Sequence, residues 1–162
     1  AVGVPLPKIA TALKTFRGLP NREEVVRVHH GVTWVNDTTA TSPEAVIAAL
    51  KIFGAKKKVV LIAGGTDKNF LSSQFVALAF AVRKHCKAVI LLPGAATDKL
   101  ISKFQAPSFK LQVKSMRAAV KQAQQLAERG DTVLLSPGAA SFGLFKNEFD
   151  RGEQFVKLVR AL

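Results

Sequence analysis

The sequence predicts an α/β fold of the Rossmann-like, doubly wound type, with a mostly parallel sheet and helices on both faces. Two apolar runs, KVVLIA at 58–63 and AVILL at 88–92, are typical of strands that are buried on both faces. Each run precedes a segment in which apolar residues recur at helical spacing. Strands that alternate with helices form parallel sheets with right-handed crossovers, which leads to this fold class.

The first part of the chain predicts a helix followed by a pair of short strands. Residues 7–17 carry apolar side chains every three or four positions, and Gly18-Leu19-Pro20 ends this helix and reads as a linker. Residues 25–29 and 32–36 are rich in valine and meet at Gly31, which predicts a hairpin-like pair.

A second helix is predicted from Ser42 to Phe53. Ser42 can cap its N-terminus, Pro43 suits the first helical position, and Glu44 favours the positive end of the helix dipole. Gly54 ends it.

The remaining chain alternates strands and helices. Strands are predicted at 58–63, 88–92, 109–113 and 132–135, and helices at about 72–84, 97–104, 115–129 and 147–162. Ligands of such a sheet bind outside the carboxyl ends of its strands. The loops to inspect for a site are therefore 36–42, 64–69, 93–97 and 136–146.

A chain of 162 residues, of which 48% are hydrophobic, is long enough and apolar enough for one soluble domain with its own core. Its single cysteine fits a reducing compartment. The single cysteine, Cys86, excludes an internal disulfide framework and favours a buried or incidental thiol. No signal peptide or apolar run of membrane-spanning length is visible, so we expect a cytoplasmic protein without a membrane partner. The absence of an initial methionine is expected either for a piece of a longer protein or after removal of the N-terminus by processing.

The net charge of +13 raises the possibility of nucleic-acid binding. Lys56-Lys57-Lys58 is the basic run, however, and its place before a strand indicates a solvated turn. The sequence shows no interleaving of aromatic and basic residues of the kind that stacks bases. It therefore argues against nucleic acid as the main partner, and favours anionic small substrates or an acidic remainder of a longer chain.

Several catalytic signatures are missing from the loops. No G-x-G-x-x-G follows a strand, no G-x-x-x-x-G-K-[ST] phosphate loop is present, and no G-x-S-x-G nucleophile elbow occurs. We therefore expect no catalytic residue and no metal ligand in this chain. A doubly wound domain of this kind would supply half of a site, with the other half on another domain or subunit.

The loops that are present have polar residues suited to anions. In 36–43, Asp37 could accept hydrogen bonds from a ribose, while hydroxyls and free helix amides could hold a carboxylate or phosphate. In 64–69, Lys68 offers a point charge. Capping and turn chemistry alone, with a solvated lysine, are the alternatives. In 136–141, small residues expose backbone amides, and core packing is the default expectation for Phe142, Phe145 and Phe149.

Taken together, six strings resemble the C-terminal domain of the Mur ligase family, in its D-glutamate-adding branch. They are G-L-P-N-R at 18–22, H-H-G-V-T-W-V-N-D at 29–37, A-T at 40–41, L-I-A-G-G-T-D-K at 61–68, L-L-S-P-G-A-A-S at 134–141 and F-K-N-E-F-D-R-G at 145–152. The resemblance extends from Gly18 to the end of the chain, so 18–162 would be this domain. Residues 1–17 would be the tail of the preceding central, ATP-binding domain and the linker.

The resemblance implies an ATP-dependent amide ligase of peptidoglycan synthesis, with UDP-N-acetylmuramoyl-L-alanine, D-glutamate and ATP as its substrates. Mg²⁺ would be bound mainly by the central domain, and the remaining domains of the same enzyme would be partners. Arg22 and Asp37 would bind the nucleotide. The incoming amino acid would be bound by Thr39, Thr41, Lys68, Ser141, Phe142 and Phe149.

Two positions depart from the family pattern. Thr39 stands where the family has lysine, so a cationic contact to the side-chain carboxylate of D-glutamate is either lost or supplied by another residue. Glu148 stands where a phenylalanine follows F-K-N, and Phe149 comes one position later. The alternatives are therefore a Mur-type ligase for another amino acid, or a stand-alone basic Rossmann-like binding module.

Overall fold

The structure, a computed structural model, describes residues 3–16, 18–104 and 110–162. Its strands are β1 Glu24–His29, β2 Val32–Asn36, β3 Val59–Gly64, β4 Cys86–Leu92, β5 Lys110–Gln112 and β6 Thr132–Leu135. Its helices are α1 Leu6–Thr15, α2 Pro43–Phe53, α3 Ser72–His85, α4 Ala95–Ile101, α5 Met116–Leu126 and α6 Glu148–Arg160, with a short 3-10 turn at Ala55–Lys57. Arg17 and Phe109, at the ends of a predicted helix and a predicted strand, lie outside the described residues.

All six strands form one sheet in the order β1-β2-β6-β3-β4-β5. β1 pairs with β2 in antiparallel orientation, and the other neighbours are parallel. β6, the last strand in the chain, lies between β2 and β3, where Thr132 is in register with both Thr33 and Val59. The prediction of a mostly parallel, doubly wound sheet is confirmed.

Helices cover both faces of the sheet because successive side chains of a strand point to opposite sides. In β3, Leu61 packs with α2, α3 and α4 on one face, whereas Val60 and Ile62 pack with α5 and α6 on the other. Every residue of β3 is buried, as its continuous apolar sequence predicts.

Three helices begin at side-chain caps of the expected kind. Ser42 Oγ accepts a hydrogen bond from the Ala45 N–H, Ser115 Oγ from the Ala118 N–H, and Asn147 Oδ1 from the Asp150 N–H. Because α2 and α6 start at the carboxyl edge of the sheet, their caps fix where two of the site loops end.

Some element ends differ from the predicted ones. β4 begins at the buried Cys86, directly after α3 and two residues before the start of the predicted strand at 88–92. Burial raises the pKa of its thiol. α5 ends at Leu126, not at Arg129, because the buried Asp131 accepts the Glu128 N–H at 2.8 Å and forms a turn there.

α1 differs from the other helices in that none of its residues is buried. Leu6, Leu13 and Phe16 are largely exposed. Within the described part of the chain, no helix combines the length and the apolar character of a membrane span.

Candidate functional site

Three loops at the carboxyl edge of the sheet are joined to one another. Thr66 and Ala140 exchange two backbone hydrogen bonds of 3.0 Å, and the Thr66 hydroxyl donates to the Phe142 carbonyl at 2.7 Å. The Gly138 N–H donates to the Ala40 carbonyl at 2.8 Å. The loops after β2, β3 and β6 therefore form one surface, as the strand-end argument predicts.

Gly65, in the loop after β3, permits this loop to lie close to the loop after β6. A Cβ on Gly65, whose φ is +140°, would lie 2.3 Å from the Ala140 carbonyl oxygen. The Gly65 N–H donates to the Thr97 hydroxyl at 3.0 Å, and that hydroxyl donates to the Leu92 carbonyl. The close approach that glycine permits here is between the loops after β3 and β6, and the hydrogen bond to Thr97 attaches the loop after β3 to α4.

Asp37 is buried where the loop after β2 meets the loop after β6. Its Oδ2 accepts a 2.8 Å hydrogen bond from the Ser136 hydroxyl, and its Oδ1 accepts the Glu23 N–H at 3.3 Å. Burial raises the pKa of Asp37 to about 6, against the opposing effect of those two hydrogen bonds. Arg22, the other predicted nucleotide residue, is exposed and lies next to Glu23 in the chain.

Thr39 is half-buried, and its polar groups are used within the protein. Its hydroxyl and its N–H both donate to the Asn21 carbonyl, at 3.0 and 3.3 Å. Asn36 Nδ2 donates to Asn21 Oδ1 at 3.0 Å. These contacts attach the G-L-P-N-R segment to the loop after β2. They involve neutral groups alone, and the threonine at position 39 carries no charge.

Thr41 and Lys68 meet across two loops. Lys68 Nζ donates a 3.0 Å hydrogen bond to Thr41 Oγ1, and Lys68 is exposed to solvent. The neighbouring Asp67 forms an ion pair with Lys99 of α4, and the hydrogen bond from Lys99 lowers the Asp67 pKa. Because Asp67 already has a cation, Lys68 presents its own charge at the surface beside Thr41.

The residues that the sequence analysis singled out near the start of α6 differ in burial. Ser141 is buried, whereas Phe142 and Phe149 are 63% and 51% exposed. The expectation of core packing for the three phenylalanines is wrong for these two, and holds for Phe145, which packs under α5 and α6. The reason is that 142–147 precede the helix, so one helical face does not extend through all three positions. Glu148 is half-buried.

Sequence reasoning did not single out Arg151, which is completely buried. Its guanidinium donates to the Thr38 hydroxyl and carbonyl at 3.0 and 2.8 Å, and to the Ala139 carbonyl at 3.1 Å. A signal was present in the sequence: Arg151 shares a helical face with Phe155 and Val159, which both belong to the core.

Within 3–16, 18–104 and 110–162, no three His, Cys, Asp or Glu side chains are grouped so that they could hold a metal ion. What the surface does offer is a lysine, several hydroxyls and loop amides, which is a donor set suited to carboxylates.

The sequence is similar to a known protein family and to curated relatives. The family profile described as "Mur ligase, glutamate ligase domain" matches residues 21–138. A UDP-N-acetylmuramoylalanine–D-glutamate ligase of Roseiflexus is 45% identical over 98% of this chain, which spans 34% of that relative's length. The chain thus spans about a third of the curated relatives it matches.

Solved structures share the fold. A UDP-N-acetylmuramoylalanyl-D-glutamyl-2,6-diaminopimelate–D-alanyl-D-alanyl ligase from Acinetobacter baumannii is 15% identical with a TM-score of 0.67, over 98% of this chain and 33% of the other. A bifunctional folylpolyglutamate synthase/dihydrofolate synthase with Mn, AMPPNP and L-glutamate bound is 19% identical with a TM-score of 0.55, over 75% of this chain and 29% of the other. The profile match over most of the chain shows that it belongs to the Mur ligase family and carries that family's glutamate ligase domain.

Proposed function

We propose that this chain is the C-terminal domain of a cytoplasmic ligase that uses ATP to join D-glutamate to UDP-N-acetylmuramoyl-L-alanine in peptidoglycan synthesis. The observation that carries the proposal is the contact of Lys68 with Thr41, 3.0 Å between Nζ and Oγ1. It unites two strings of the family resemblance at the sheet edge where ligands of this fold bind. The name of the Roseiflexus relative supports the choice of D-glutamate.

The amino acid is proposed to bind between the loops after β2, β3 and β6. D-glutamate carries two carboxylates, which need a cation and hydrogen-bond donors. Lys68 supplies the cation, and Thr41 and Ser141 supply hydroxyls. Thr39, whose hydroxyl donates to the Asn21 carbonyl, is proposed to border the site together with the exposed rings of Phe142 and Phe149.

The nucleotide is proposed to contact Arg22 and Asp37. Each carboxylate oxygen of Asp37 accepts one hydrogen bond from the protein and retains capacity for another, as ribose hydroxyls require. The exposed Arg22 offers its guanidinium to phosphate or ribose.

In the reaction that the family resemblance implies, ATP phosphorylates the substrate carboxylate, and the amine of D-glutamate attacks the acyl phosphate, releasing phosphate. This chain's residues are proposed to orient the amine and to exclude water from the acyl phosphate as the domain closes. Mg²⁺, which would neutralise phosphate charge, is proposed to bind mainly to the rest of the enzyme.

Residues 1–17 are proposed to be the tail of the preceding ATP-binding domain and its linker. The apolar side chains of Leu6 and Leu13 in α1, and of Phe16 directly after it, support this because they are largely exposed and join no core among the described residues. Residues 1–162 alone are proposed to be inactive because their sequence contains no G-x-x-x-x-G-K-[ST] phosphate loop, and ATP-dependent ligation by this chain by itself would refute that.

A second candidate is a Mur-type ligase for another amino acid. Thr39 favours it, since the hydroxyl is directed to the Asn21 carbonyl and supplies no charge where the family pattern has lysine.

The test uses the full-length ligase with UDP-N-acetylmuramoyl-L-alanine, ATP and magnesium. Phosphate release is followed with D-glutamate, L-glutamate, L-lysine or no amino acid. Release that depends on D-glutamate is expected. Release with another amino acid would establish the second candidate, and release with none of them would refute both.

A further inference from the structure

Arg151 joins two loops that the sequence places far apart. Thr38 lies after β2, between Asp37 and Thr39, and Ala139 lies after β6, two residues before Ser141. The guanidinium donates from Nε and Nη2 to the Thr38 hydroxyl and carbonyl, and from Nη1 to the Ala139 carbonyl. One side chain thus fixes the position of both loops relative to α6.

The partners of this buried cation are neutral. Among the described residues, no carboxylate forms an ion pair with Arg151. Burial lowers its pKa to about 10, so the group is still protonated at neutral pH. The carbonyl and hydroxyl oxygens must stay within hydrogen-bond distance of the buried guanidinium, because each lost contact leaves a buried N–H group without an acceptor.

The start of α6 belongs to the same arrangement. The Thr38 hydroxyl, which accepts from Arg151, donates to the Glu148 carbonyl at 2.8 Å. A Cβ on Gly152 would lie 2.6 Å from both Thr38 Cγ2 and Asn21 Oδ1, so glycine permits the close approach of α6 to the loop. These contacts fix the first turn of α6, which carries Phe149, relative to Thr38.

We propose that Arg151 is a positioning residue for the amino-acid site, which aligns Thr39 and Thr41, Ser141 and Phe142, and Phe149 by binding Thr38 and Ala139 together. The inference rests on the proposed function. It assigns to Arg151 no contact with substrate. Its effect is to set the distance between loops that bind D-glutamate from two sides.

The test is Arg151→Lys in the full-length ligase, with KM and kcat measured separately for each substrate. Lysine keeps the charge but lacks the planar fork that reaches both loops. We expect the KM for D-glutamate to rise at least about tenfold while kcat at saturation falls less than about threefold. The KM for UDP-N-acetylmuramoyl-L-alanine, to which no residue here is assigned, should stay within about twofold.

Arg27→Lys is the matched control. Arg27 also anchors α6 with its guanidinium, through the Val159 and Arg160 carbonyls at 3.4 and 3.0 Å, and neither of these acceptors lies in the loops after β2, β3 or β6. The KM of the Arg27→Lys enzyme for D-glutamate should equal that of the wild-type enzyme. Equal KM values for the two variants, or a loss confined to kcat in Arg151→Lys, would overturn the inference.

Thr38→Val and Thr38→Ser provide an independent measurement if Arg151→Lys does not fold. Valine removes the hydroxyl that links Arg151 to Glu148, and serine retains it. We expect a higher KM for D-glutamate in Thr38→Val than in Thr38→Ser, and equal values would refute the role of Arg151. A wild-type enzyme without D-glutamate-dependent phosphate release would instead refute the proposed function.

Discussion

The Ser136 hydroxyl donates a 2.8 Å hydrogen bond to Oδ2 of Asp37, and thereby links the loop after β6 to the loop after β2. The two residues are 99 positions apart in the chain. They follow strands that are neighbours in the sheet, where Asn36 is in register with Leu135. The acid thus has a fixed place at the site edge, although burial opposes its ionisation.

Asp37→Asn should stabilise the chain at alkaline pH. Because the pKa of Asp37 is raised from 3.8 to about 6 on folding, the folded state binds the proton more tightly, and this stabilisation is lost as pH rises from about 4 to above 6. The free energy of unfolding of Asp37→Asn should exceed that of the wild type by about 1–2 kcal/mol at pH 8. Urea unfolding at pH 5 and 8 measures this, and a difference that does not grow between them would contradict the prediction.

Lys68→Ala in the full-length ligase should raise the KM for D-glutamate tenfold or more, which corresponds to about 1.4 kcal/mol for a lost charged contact. The exposed Lys51, in the last turn of α2 at the opposite end of that helix from Thr41, provides the control. Steady-state kinetics of Lys51→Ala should be unchanged. If Lys68→Ala also leaves the KM unchanged, Lys68 does not bind the amino acid.

Gly65→Ala should destabilise the domain by about 2–4 kcal/mol, because its Cβ would lie 2.3 Å from the Ala140 carbonyl oxygen. Gly143 also has a positive φ, +90°, but has no atom within 4 Å of a built Cβ. Gly143→Ala should therefore cost about 1 kcal/mol, from backbone strain alone. Thermal unfolding of the two variants compares them, and equal losses would show that the loops separate readily.

Phe145→Ala should lower the stability of the domain, whereas Phe149→Ala should mainly raise the KM for D-glutamate. Phe145 is 9% exposed, so its truncation should cost about 3 kcal/mol of stability. Phe149 is 51% exposed, so Phe149→Ala should change stability by less than about 1 kcal/mol while raising the KM for D-glutamate. A Phe149→Ala enzyme with unaltered kinetics would remove this ring from the proposed site.

Most of the fold could be predicted from local pattern. The apolar run that forms β3 predicts a strand buried on both faces, and Ser42-Pro43-Glu44 predicts the start of α2. The turn that ends α5 could not be predicted in this way. It depends on the carboxylate of Asp131, which also accepts from Lys87 at 2.8 Å, a residue 44 positions away in β4.

The sequence by itself determined the α/β class, the strand-end loops that carry the polar residues, and the family strings, because these are properties of segments a few residues long. Tertiary structure decided that the Thr39 hydroxyl binds the Asn21 carbonyl, that Phe145 is buried while Phe149 is not, and that Arg151 is buried. Such outcomes depend on which distant segments meet. Arg151 reaches Thr38 across 113 positions of chain, because α6 packs back against the loop that follows β2.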